Sequence, residues 1–153
     1  MPLSLTSSAF QDGQSIPVRF TCSGDDTSPA LDWKGVPSQA RSLALIVDDP
    51  DAPAGTWVHW VIFNIPIAAS GLPESVPARK ELADGSRQGL NDFRKVGYGG
   101  PCPPPGNAHR YFFKLYALDL WLDLAAGATK AGLERAMSGH VLAETRLIGS
   151  FKR

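Results

Sequence analysis

The chain has no excess of charge: 15 Lys and Arg residues balance 15 Asp and Glu, and neither sign forms a long run. A nucleic-acid binder needs a basic face to neutralise phosphates, and nothing here builds one. No apolar run approaches the roughly 20 residues of a membrane-spanning helix. The opening Met1-Pro2-Leu3-Ser4-Leu5-Thr6 has neither a basic start nor an apolar signal core, so the chain reads as soluble and cytoplasmic. Cysteine is scarce as well. Cys22 and Cys102 are too few for a disulfide framework or a four-thiolate zinc site. Bonded to each other, they would close a loop worth about 4–5 kcal/mol in the chain-entropy account. A cytosolic setting favours two thiols, and the pairing is left open.

Proline and glycine are what the chain has in quantity. The 13 prolines and 15 glycines recur every ten or so residues rather than in one tail, as in short strands joined by ordered loops. Ser42–Val47 is almost wholly apolar, the pattern of a strand buried on both faces. A second strand is expected over His59–Ile65, where a period of two puts His59, Val61, Phe63 and Ile65 on one face. A third, Arg110–Leu118, sets Tyr111, Phe113, Leu115 and Ala117 against Arg110, Phe112, Lys114 and Tyr116. Weaker strands are expected at Ile16–Phe20 and Thr145–Phe151. Helix signals are confined to the C-terminal third: Thr129 caps Lys130–Met137, and Ser138 starts a further turn or two over Gly139–Glu144. Without βαβ alternation the sheets should be antiparallel. With 153 residues and no linker or repeat, residues 1–153 read as a single domain exposing roughly 7,500 Å².

Two segments carry the chemistry. Asp48-Asp49-Pro50-Asp51-Ala52-Pro53 ends the first strand with three carboxylates, and its prolines hold Asp49 and Ala52 in extended geometry. Asp48 reads as a turn residue, whereas Asp49 and Asp51 are site candidates. If the first two strands are neighbours, Asp49 and His59 lie at one end of the sheet, where a carboxylate orients an imidazole. The second segment, Gly99 to Tyr111, holds four prolines and three glycines, which exclude helix and leave a stiff loop delivering His109 and Tyr111. His140 reads as structural. Cys102 is a poor nucleophile because Pro101 and Pro103 flank it and bring no N–H to an oxyanion hole. The histidine spacing matches no local metal motif, so metal and cofactor are both expected to be absent.

Asp49-Pro50-Asp51-Ala52-Pro53, His59-Trp60, and Gly99 to Pro104 with His109-Arg110-Tyr111 together resemble the phosphatidylethanolamine-binding protein family. The resemblance is to its bacterial, Raf kinase inhibitor-like branch. Ser28 to Trp33, Asn91-Asp92-Phe93, Gly139 to Ala143 and Leu147 to Phe151 match too, so it spans nearly the whole chain. It implies a mainly β fold of two antiparallel sheets with Greek-key connections, short C-terminal helices and a small anion pocket at one end. The pocket role falls on Asp49, Asp51, His59, His109 and Tyr111, with Gly100 and Pro101 in the wall. It also implies a cis Ala52–Pro53 bond.

The function expected is a non-enzymatic module that binds an anion, most simply a phosphate group on a small molecule or a phosphoprotein. The resemblance allows a kinase-pathway regulator, with a kinase as partner, although no residue names one. A lipid head group is the lesser candidate, because the chain stops at Arg153, shortly after the final strand. The rival enzyme reading is a hydrolase of small esters using an Asp/His acid–base pair. A third reading is a dimerising protein with a vestigial pocket.

Overall fold

A computed structural model describes every residue, Met1–Arg153. Its accessible surface is 7643 Å². The elements in order are β1 (Ser4–Thr6), β2 (Leu31–Lys34), β3 (Ser42–Asp49), β4 (Trp57–Ile65), β5 (Gly71–Leu72), β6 (Arg87–Gln88), β7 (His109–Leu118), α1 (Lys130–Met137) and β8 (Val141–Phe151). The strands form two sheets, one in the order β1-β2-β5 and one in the order β6-β4-β3-β7-β8. All strand pairs within them are antiparallel.

β3 lies at the centre of the larger sheet, and all eight of its residues are buried. Its alternation divides two cores. Leu43, Leu45 and Val47 join Leu5, Leu31 and Trp33 of the smaller sheet, while Ala44 and Ile46 meet Leu133 and Met137 on the other face. Burying each large apolar side chain contributes about 1.5–3 kcal/mol, so a strand apolar on both faces is stable only with a layer on each side. β7 keeps the expected period: Tyr111, Phe113, Leu115 and Ala117 belong to the inter-sheet core, and Arg110 faces away.

β4 departs from a simple period of two, and its bulges re-aim side chains. Asp48 pairs with Val58 and Val47 with Trp60, which makes His59 the extra residue. A second shift, between Leu43 and Leu45, leaves Phe63 and Asn64 opposite Ala44, with Asn64 at φ 55°. Val61 and Phe63 therefore point into the α1 core, Ile65 into the inter-sheet core, and His59 toward Tyr111. The single-face expectation for these four residues fails because each bulge shifts the phase by one.

Three other expectations are corrected. Ile16–Phe20 is no strand, because Val18–Phe20 forms one 3-10 turn closed by Phe20 N–H donating to the Pro17 carbonyl. Only α1 is helical in the C-terminal third. Thr129 accepts from Gly132 N–H as its cap, but Gly139 at φ 81° reverses the chain, and the residues from Val141 enter β8 instead of a second helix. No peptide bond is cis, so Ala52–Pro53 is trans. No helix is long and apolar enough to cross a membrane.

Candidate functional site

Antiparallel pairing places the end of β3 and the beginnings of β4 and β7 at one rim of the large sheet. Asp49 is the last residue of β3 and His109 the first of β7. Their side chains meet there, His109 Nδ1–H donating to Asp49 Oδ2 at 2.7 Å with both nearly buried. The other carboxylate oxygen accepts Asp51 N–H at 2.7 Å, which fixes the turn that leaves the strand. His59 is held from the opposite wall, its Nδ1–H donating to the Gly99 carbonyl at 2.6 Å. Both imidazoles thus have Nδ1 anchored to an acceptor, and neither Nε2 has a partner within the chain. Burial pushes the His59 pKa down, against the opposing pull of the Gly99 carbonyl and the Asp49 charge.

Asp49, His59 and His109 line a cavity of about 230 Å³. Tyr111 stands edge-on to His59, ring centroids 5.2 Å apart, and Trp57 and Phe93 close the rim at 5.5 Å from each other. The Tyr111 hydroxyl is buried and has no hydrogen-bond partner in the chain. Burial, reinforced by the Asp49 and Asp51 charges, raises its pKa well above the ordinary phenol value. No lysine or arginine lines the cavity.

Asp49, His59, His109 and Tyr111 are therefore together in one cavity, whereas the other expected residues sit around it. Asp51 turns outward to Arg110, accepting from its backbone N–H, Nε and Nη2 at 2.9 Å each. That bidentate pairing holds the Asp51 carboxyl at about 2. Gly100 donates to Asp26 Oδ1 at 2.7 Å, and the Pro101 carbonyl accepts from Cys22 N–H at 3.0 Å, so both face the 20–26 segment. The wall is formed instead by Cys102, Pro103 and Pro104. Cys102 is bonded to Cys22, Cα–Cα 5.3 Å, which corrects the expectation of two thiols and removes any thiol nucleophile from the site.

Asp48 points to the other face, where Lys114 and Lys130 donate to Oδ2 at 2.9 and 2.8 Å. His140 lies at the far end of β7 and does have an acidic neighbour, Asp119 at 2.8 Å. Trp57, Phe93 and Pro103 also line the cavity, beyond the residues expected from the sequence. Phe93 had a signal in Asn91-Asp92-Phe93: buried Asn91 accepts Phe93 N–H and donates to the Gly97 carbonyl, and Asp92 accepts Val58 N–H at 2.7 Å.

The sequence pattern of phosphatidylethanolamine-binding proteins matches residues 6–152. A UPF0098 protein of Methanothermobacter thermautotrophicus is 57% identical over 151 residues, covering 99% of each chain. Another from Aquifex aeolicus is 48% identical over 96% of this chain and 86% of its own. The crystal structure of a phosphatidylethanolamine-binding protein homologue from Chlamydia trachomatis superposes with a TM-score of 0.91 at 40% identity, over 99% of this chain and 98% of that one. YbcL of E. coli gives the same TM-score at 31% identity, over 100% and 99%. On sequence and fold alike, the chain belongs to the phosphatidylethanolamine-binding protein family.

Proposed function

We propose that the cavity binds an oxyanion, most simply the phosphate group of a small ester or a phosphoprotein, without turning it over. The observation that carries the reading is the Tyr111 hydroxyl, buried with no partner in the chain, on a residue that lines the same cavity as both imidazoles. Such a group costs about 1–3 kcal/mol when nothing accepts its proton, and a ligand oxygen in the cavity offsets that cost. With each Nδ1–H committed, an imidazole donates to the ligand only after Nε2 takes a proton. Binding is then coupled to proton uptake, and affinity rises as pH falls, with His59 responding below the ordinary histidine range because burial lowers its pKa. At 4 Å and an effective dielectric of 20, one such charge pair gives roughly 4 kcal/mol of Coulomb energy before screening.

The test is calorimetric titration with inorganic phosphate, phenyl phosphate and a phosphoserine peptide at pH 6 and 8. Tyr111→Phe should weaken binding while leaving stability unchanged or higher, and His109→Ala should abolish most of it. His140→Ala, at the other end of the sheet, should do neither. Binding that ignores both Tyr111 and His109 refutes the site. The hydrolase reading draws on the Asp49–His109 pair, which would act as a general acid–base pair on water rather than through a side-chain nucleophile. Turnover of these esters that is lost with His109→Ala would establish it instead.

A further inference from the structure

The cavity lining holds no lysine or arginine, yet a guanidinium stands at its mouth. β7 and β8 pair with His109 opposite Phe151, so the chain leaving β8 runs past the rim where β7 begins. Phe151 and Tyr111 share the inter-sheet side. Continued past Phe151, the same alternation returns Arg153 to that side. There its Nε–H donates to the Pro103 carbonyl, and its own carbonyl accepts from Gly106 N–H at 3.2 Å. Pro103 lines the cavity together with Tyr111. The guanidinium also lies close enough to act on the Tyr111 hydroxyl: its charge favours the phenolate, against the burial and the two aspartates that disfavour it.

Nothing in the chain neutralises this cation. Arg110, at the same rim, is taken up by Asp51, whereas Arg153 makes no ion pair at all. Its one side-chain hydrogen bond uses Nε, so both Nη groups are free. Two N–H groups held in one plane match a carboxylate or a phosphate. The carboxylates nearby do not fill that role, because Asp49 is committed to His109 and Asp51 to Arg110. Trp57, Phe93, Pro103 and Pro104 bring no charge to the mouth. Since Arg153 stands outside the lining, it meets what projects from the cavity rather than a group seated against Tyr111 and the imidazoles. Resting on the reading that the cavity takes a phosphate group, we infer that Arg153 binds a second anionic group of the same ligand, a carboxylate or a further phosphate a few bonds from the first. Arg153 thereby selects phosphate esters that carry a second acidic group over those that do not.

Calorimetric titration of the full chain with ethyl phosphate and with phosphoglycolate tests this, because the two differ only by a methyl group against a carboxylate. Phosphoglycolate should bind roughly tenfold tighter or more, and the advantage should shrink as salt is raised. Arg153→Gln should erase it by bringing phosphoglycolate down to the affinity of ethyl phosphate, and Arg153→Lys should restore part of it. Tyr111→Phe should weaken both ligands by the same factor and keep their ratio, which separates the second-anion contact from the phosphate site beneath it. If neither ligand binds the native chain, the phosphate reading falls and this inference with it. Three results would overturn the inference alone while ethyl phosphate still binds: phosphoglycolate that binds no tighter, an advantage that survives Arg153→Gln, or an Arg153→Gln protein that loses both ligands equally, as a merely structural hold on the Pro103 wall would require.

Discussion

Replacing both Cys22 and Cys102 by serine removes the one covalent link between the cavity wall and the N-terminal third of the chain. The two residues are 80 apart in sequence. Closing a loop of that length restricts the unfolded chain by about 4.5 kcal/mol at 25 °C in the chain-entropy account. A domain of this size has some 5–15 kcal/mol of stability in all, so the loss is a large share of it. At about 2–4 °C per kcal/mol, the double variant should melt roughly 10–18 °C lower. The effect on binding should be far smaller, because three other tethers hold the wall. Tyr98 Oη–H donates to the Phe20 carbonyl at 2.7 Å, Gly100 N–H to Asp26 Oδ1 at 2.7 Å, and Cys22 N–H to the Pro101 carbonyl at 3.0 Å. Equilibrium urea unfolding followed by tryptophan fluorescence measures the stability, and the m-value should rise as the uncrosslinked unfolded chain exposes more surface. Calorimetry with phenyl phosphate measures the affinity. A stability loss under about 1 kcal/mol would refute the loop-closure argument. A loss of affinity matching the loss of stability would refute the claim that the hydrogen bonds alone shape the wall.

Three further outcomes follow from particular contacts. Asn64→Ala breaks two buried bonds, Nδ2–H to the Leu122 carbonyl and Leu122 N–H to Oδ1, at a positive φ; it should cost roughly 2–4 kcal/mol in the same urea assay. Gly100→Ala puts a Cβ against the Phe20 carbonyl and 3.0 Å from Thr21 Cα; it should destabilise by about 1–3 kcal/mol and weaken phosphate-ester binding by moving the wall. For Asp51, carboxyl carbon shifts should titrate near pH 2 in the native chain and near 3.8 in Arg110→Ala. Its native pKa lies below the unfolded one, so its contribution to stability is present above pH 3.8 and lost as pH falls towards 2.

Much of the architecture is legible in local pattern. The apolar run Ser42–Val47 announces a strand covered on both faces, and the alternation of Arg110–Leu118 separates buried Tyr111 from exposed Arg110. Thr129 and the spacing of Leu133 and Met137 mark α1 with its cap. These features depend on side-chain period and backbone propensity, which act over a few residues and are written in neighbouring positions. The gathering of Asp49, His59, His109 and Tyr111 was anticipated from strand ends and from family likeness, not from any local spacing.

The remainder was decided by contacts between distant segments. The orientation of His59 depends on a bulge, which exists because Val47 and Asp48 pair with Trp60 and Val58; no periodicity within β4 reveals it. Residues 141 to 144 are compatible with helix, but pairing with β7 draws them into β8. Asp51 leaves the cavity because Arg110 offers it a three-point partner, and Gly100 and Pro101 because the 20–26 segment takes their N–H and carbonyl. Cys22 and Cys102 meet for the same reason. In each case the sequence by itself set which groups are available and the element that carries them, while tertiary structure chose their partners. A buried polar group takes the nearest satisfying acceptor or donor, and nearness across 60 to 80 residues is created only when the sheets close.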